Sequence, residues 1–255
     1  MKPKIFSLAT IFVAMAASST DSSGAVIAND DFESNSTTGG SGWASGWSVS
    51  GGSYMNSGSV IDGTYTLGLY GQNNDAVRSV VSPITTTGDI VTVSWSMRAG
   101  WDVVTDNDGG VTSELGLNLR DQNGNTLITF KFLDGAQNGK LQVNDGGSNF
   151  AINDITFATN NIYDFTFTSE LGTNTYDFTV NRRGSSESFS TPANTYFFTG
   201  GSMTSFEDVR FFMTAPSGSG NDGFLDSVSV TVIPEPSAAL LGGLGMLALL
   251  RRRRA

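Results

Sequence analysis

The chain has 255 residues, no cysteine, no histidine and a formal charge of −10. Without cysteine there is no disulfide framework and no thiol chemistry, and without histidine the usual general base, the Ser-His and Cys-His nucleophile pairs and most zinc sites are excluded. Eight of the 14 basic residues and 22 of the 24 acidic ones lie between Val26 and Ile233, leaving that stretch at −14, which argues against a nucleic-acid partner because phosphate binding needs a basic face.

Residues 1–25 read as a signal peptide. Lys2 and Lys4 are its positive region and 5–17 its apolar one, and Ser23-Gly24-Ala25 fits the small-x-small cleavage pattern. Ala14-Met15-Ala16 fits the same pattern, but the polar stretch 18–23 places the expected cut after Ala25. From Val26 to Ile233 there is no helical period. Short alternating segments recur between turns rich in Gly, Asn, Asp and Ser, the pattern of a sandwich or barrel of short strands. Strands are expected at 47–50, 64–69, 77–81, 90–97, 114–120, 126–132, 140–143, 154–158, 162–168, 175–181, 195–198, 209–214 and 223–232. In 90–97 the alternation points Val91, Val93, Trp95 and Met97 to the core. The fold class is therefore all-β, a single antiparallel β-sandwich over 26–233, flanked by the signal peptide and a short C-terminal hydrophobic helix.

Two hairpins are legible. Tyr163-Asp164-Phe165-Thr166-Phe167 and Tyr176-Asp177-Phe178-Thr179-Val180 are near copies either side of Gly172-Thr173-Asn174. They predict a hairpin with one buried aromatic face. The Asp121-Gln122-Asn123-Gly124-Asn125 turn is expected to join 114–120 to 126–132. Asp102, Asp106, Asn107 and Asp108 before Gly109-Gly110 look like a cation loop but lack its ligand spacing. A solvated turn suits them better.

The last 22 residues have three parts. Pro234-Glu235-Pro236 cannot continue a sheet or a helix. An apolar run follows at 238–250, and then Arg251, Arg252, Arg253 and Arg254, which favour the cytoplasmic side of a membrane. This arrangement resembles the PEP-CTERM sorting signal that exosortase, a membrane protease, reads. The resemblance implies export, transient anchoring in the inner membrane, cleavage near the Pro-Glu-Pro motif, and release to the cell surface or extracellular matrix with exopolysaccharide or biofilm. Thirteen helical residues span about 20 Å, short of a ~30 Å hydrocarbon core, which suits a temporary handle better than a lasting span.

The body carries resemblances too. Asn29-Asp30-Asp31-Phe32-Glu33, Gly46-Trp47-Ser48-Val49 and the closing Phe224-Leu225-Asp226-Ser227-Val228-Ser229-Val230 resemble galactose-binding-like jelly rolls. Leu141-Gln142-Val143-Asn144-Asp145-Gly146-Gly147 with the two Tyr strands is similar to the concanavalin A-like, laminin-G-like jelly roll. The first resemblance implies a structural Ca2+ on Asp31, Glu33 and Asp226. Both imply sugar stacking on aromatics, here Trp43, Trp47 and Trp101, with Tyr54 and Tyr70 as further choices. The laminarinase-like branch carries an E-x-D-x-E string, and none of Glu33, Glu114, Glu170, Glu187 or Glu207 has that spacing. The expectation is a non-catalytic surface or matrix protein. The alternative is a carbohydrate-binding module with a structural calcium.

Overall fold

The computed structural model describes residues 24–71, 73–100, 114–133, 140–147, 149–155, 158–192, 196–214 and 222–235. None of these is helical. The strands are β1 (Ala25–Asp30), β2 (Ser48–Val49), β3 (Tyr54–Asn56), β4 (Thr66–Tyr70), β5 (Asn74–Ile84), β6 (Ile90–Ala99), β7 (Glu114–Arg120), β8 (Thr126–Leu133), β9 (Lys140–Asn144), β10 (Asn149–Ile152), β11 (Ile162–Glu170), β12 (Thr175–Arg182), β13 (Ser188–Ser190), β14 (Tyr196–Phe197), β15 (Phe206–Thr214) and β16 (Asp222–Ile233).

They form two antiparallel sheets. The first runs β13-β12-β11-β6-β16-β4-β3, with β14 beside β12 and β1 beside β16. The second runs β10-β9-β8-β7-β15-β5-β2. One edge of β16 is paired with β6, while its other edge is shared end to end: β4 takes Asp222 to Leu225 and β1 takes Val228 to Val232. At the changeover the register shifts between Asp226 and Ser229, and Ser227 adopts φ 53°. That is a bulge, which inserts unpaired backbone into one strand.

Inward residues follow the period of two. Val91, Val93, Trp95 and Met97 of β6 are buried, as are Tyr163, Phe165 and Phe167 of β11 and Tyr176, Phe178 and Val180 of β12. Trp95 stacks on Phe165 at 5.0 Å, and Phe130 of the second sheet closes on Trp95 and Phe178 at 5.2 Å each. Each ring removed from water contributes roughly 1.5–3 kcal/mol, so this aromatic layer is a main bond between the sheets.

Both expected hairpins are present. Phe165 pairs with Val180 and Phe167 with Phe178. At the other turn Asp121 accepts from the N–H groups of Asn123 and Asn125, and Gly124 takes φ 76°. The strand expected at 154–158 needs correcting. The strand is β10, and Asp154 and Ile155 lie in a bend beyond it. Asn153-Asp154 favours a turn over a ladder. Pro234 and Glu235 are exposed after β16. The rest of the expected sorting segment (Pro236, the 238–250 run and the four arginines), nearly all of the signal peptide, and Trp101 lie outside the described residues. Among the described residues no helix is long and apolar enough to cross a membrane.

Candidate functional site

The segment between β1 and β2 folds back along the sandwich edge, tied by bridges from Asn29 to Ser41 and from Trp43 to Val80. It carries two of the aromatics expected to hold a sugar. Trp43 and Trp47 are instead buried, at 8% and 4% exposure. The cause is Arg78, which enters the interior from β5. Its guanidinium lies 5.1 Å from the Trp43 ring centre and 5.9 Å from that of Trp47. It pairs through Nη1 with Asp30, and it donates from Nη2 to Gly39 O at 2.6 Å and from Nε to Ser45 O at 2.9 Å. Asp30 also accepts from Trp47 Nε1 and from the Phe32 N–H, both at 2.9 Å. Trp43 Nε1 donates to Asn29 O at 2.9 Å. Burial lowers the Arg78 pKa and the Asp30 charge opposes that fall. A buried charge needs this full set of partners. Neither indole offers a face to a sugar, so the expected Trp43 and Trp47 platform is corrected to a structural lock.

Asp31, Glu33 and Asp226 are brought only partly together. Glu33 Oε1 accepts from the Thr64 and Tyr65 N–H groups at 2.7 and 3.1 Å, which holds its pKa below the usual carboxylate value. A side chain on Gly63 would collide with that oxygen. Asp226 is fully buried; its Oδ2 accepts from the Asp62 N–H at 3.0 Å and its Oδ1 from the Ser227 N–H at 2.7 Å. Burial pushes its pKa up to about 7 against those two hydrogen bonds, and the charges of Asp62 and Glu33 push the same way. Both carboxylates thus clamp one loop, 61–65. Asp31 is exposed and accepts from the Glu33 N–H at 3.2 Å instead. These oxygens face amide hydrogens. Calcium needs six to eight oxygens turned on one point, and among the described residues no such group of three or more acidic side chains occurs. The arrangement does not fit the ion.

Arg183 closes the same network from β12's end. It donates from Nη1 to Asp62 Oδ1 at 2.7 Å, from Nε to Asp164 Oδ2 at 3.0 Å and from Nη2 to Asp164 Oδ1 at 2.5 Å. These bonds raise its pKa well above its ordinary value. Nothing in local spacing marks the pair of Arg183 and Asp62, which are 121 residues apart.

The outer face of the first sheet holds the exposed aromatics. A row crosses four strands: Tyr54 pairs with Gly68, Gly68 with Phe224 and Phe224 with Arg98. Tyr70 stands two residues beyond Gly68 on the same face. Tyr54 and Tyr70 are 38% and 51% exposed. Gly68 lets the Tyr54 ring lie close, since an added Cβ would sit 3.3 Å from Tyr54 Cζ and 3.4 Å from Phe224 Cε1. Asn56 Nδ2 donates to the Tyr54 hydroxyl at 3.1 Å. The Arg98 guanidinium lies 5.4 Å from the Phe224 ring and donates to Asn160 Oδ1 at 2.9 Å, while its buried Nε has no partner. Phenol rings give an apolar face with a polar tip. This surface can therefore meet both the C–H face and the hydroxyls of a sugar.

No protein-family profile and no curated protein sequence matches the chain. Solved structures match by fold. Lectin II from Ulex europaeus is similar at a TM-score of 0.51 and 10% identity, covering 81% of this chain and 97% of the lectin. An alginate lyase is similar at 0.49 and 9%, over 72% of this chain and 79% of the lyase. Arcelin-5, a lectin-like defence protein from Phaseolus vulgaris, is similar at 0.48 and 9%, over 73% and 92%. The likeness to the Ulex lectin is one of fold, and it agrees with the single antiparallel β-sandwich expected from the sequence.

Proposed function

We propose that this chain is a carbohydrate-binding β-sandwich protein that takes its glycan on the outer face of the first sheet, at Tyr54 and Tyr70. The observation that carries this reading is the pair of exposed tyrosines around Gly68, beside Arg98 over Phe224. The lectin-type sandwich supports it. The lack of histidine and cysteine supports binding without catalysis. The order of Pro234-Glu235-Pro236, apolar run and Arg251 to Arg254 supports export and sorting by an exosortase-type protease, with an exopolysaccharide matrix as the place of work. The test is retention on a panel of polysaccharides. Tyr54→Ala with Tyr70→Ala should weaken binding at this face about tenfold or more, taking the roughly 1–3 kcal/mol of a base stacked on an aromatic side chain as the scale for each ring. A double variant that binds as the parent does would refute the site.

A further inference from the structure

The outer face of the second sheet is built differently from that of the first. Leu117 and Leu119 of β7 face the core, so Asn118 between them faces out, opposite Arg210 of β15 and Thr129 of β8. Asn118 is only 6% exposed, and its Oδ1 has no hydrogen-bond partner. Around it lie three ion pairs. Arg210 Nε meets Asp75 Oδ2 at 2.9 Å, Arg120 meets both oxygens of Asp208 at 2.5 and 2.8 Å, and Lys131 Nζ meets Glu114 Oε1 at 2.7 Å. The Arg210 guanidinium lies 5.5 Å from the Phe212 ring. That ring occupies the space left by Gly116, where an added Cβ would come within 2.7 Å of it.

We propose that this face is a second glycan site, centred on Asn118 and Arg210, for a neutral, hydroxyl-rich polysaccharide. It rests on the carbohydrate-binding reading only for the class of ligand. The charges among these three pairs cancel on a body that carries −14 overall, so an uncharged chain is neither drawn nor repelled. Each ion pair sets a donor beside an acceptor, which matches a sugar's neighbouring hydroxyls, each able to donate and accept. Asn118 Oδ1 is closed off from solvent in the unliganded chain, so the side-chain amide must turn outward to meet a ligand, and its choice of partner then decides between neutral and acidic ligands. Oδ1 is an acceptor and needs a donor, which a hydroxyl supplies and a carboxylate does not. The row continues from Thr129 to Asn144 and Asn149. Five strands spaced ~4.8 Å apart make it about 19 Å long, the reach of a polymer segment more than of one sugar. The two faces look away from each other across one core, so a single molecule can hold two polysaccharide chains.

The experiment is calorimetric titration of the full chain with a soluble neutral β-glucan and, separately, with alginate. The parent should show two sites for the glucan, little changed by high salt, and should precipitate the polymer, because two faces cross-link. Asn118→Val and Arg210→Gln should each weaken one site about tenfold and end precipitation. The melting point of unliganded Asn118→Val should stay level or rise, since the change removes an unpaired acceptor; a merely structural Asn118 would lower it and leave binding alone. Variants with the parent isotherm would overturn the second site. Binding confined to alginate and lost in salt would overturn the neutral ligand. The Tyr54→Ala, Tyr70→Ala variant separates the two readings. If it binds as the parent does while Asn118→Val abolishes binding, the first-sheet site fails and this one stands. If only the Tyr variant loses binding, this one fails.

Discussion

Arg78 occupies a core position. It alternates with the buried Ala76 and Val80, where the pattern calls for an apolar side chain, and it is held there by Asp30, 48 residues earlier. Breaking one half of such a pair leaves a buried, uncompensated charge, at a cost of about 3–5 kcal/mol. Arg78→Met should lower stability by that amount in urea unfolding, and a loss below about 1 kcal/mol would contradict the lock. The same residue explains why local pattern misplaces two tryptophans. Trp95 sits among valines and its burial is legible from its neighbours. Trp43 and Trp47 sit among Gly and Ser, and only the distant Arg78 and Asp30 say that they are inside. Asn118 is hidden for the opposite reason: an Asn between two leucines reads as an ordinary outward polar residue, and its missing partner is visible only in three dimensions.

Among the elements, the long alternating strands and their hairpins are legible in the sequence because period and turn chemistry are local. β3 and β13, at three residues each, are too short and too polar to show a period. The bulge in β16 is not legible either, although it sets the site of Asp226. The carboxyl of Asp226 binds a proton more tightly in the folded chain than in the unfolded one, where its pKa is 3.8. Between about pH 4 and 7 the folded state therefore holds more protons, and raising the pH through this window withdraws stability at up to roughly 1.4 kcal/mol per pH unit. Glu33, Asp75 and Asp164, held below their ordinary values, act in the opposite sense, and their contribution is lost only as the medium becomes acidic. Urea midpoints of the parent should thus fall from pH 5 to 7.5, and Asp226→Asn should flatten the fall. An unchanged slope in that variant would show that Asp226 is not the cause.

For the whole molecule, the all-β sandwich can be inferred from composition and turn density, and the lectin-type likeness agrees with it. The expected calcium site rests on three acidic positions, and in the folded chain their side chains are committed to backbone amides at 3.2 Å or less. Melting in calcium and in chelator should therefore coincide; a clear rise with calcium would mean that these carboxylates turn to a cation in solution. β16, the last of the described strands, lies in the middle of the first sheet and touches β1, β4 and β6 at once. A chain that emerges from its N-terminus cannot close this sheet until Ile233 is free. Every earlier length leaves the first sheet with unmet edges, so the sandwich cannot close before its central strand is made. Closure of the first sheet therefore waits on the residues that directly precede Pro234: the strand made last among those described is the one the others are laid against.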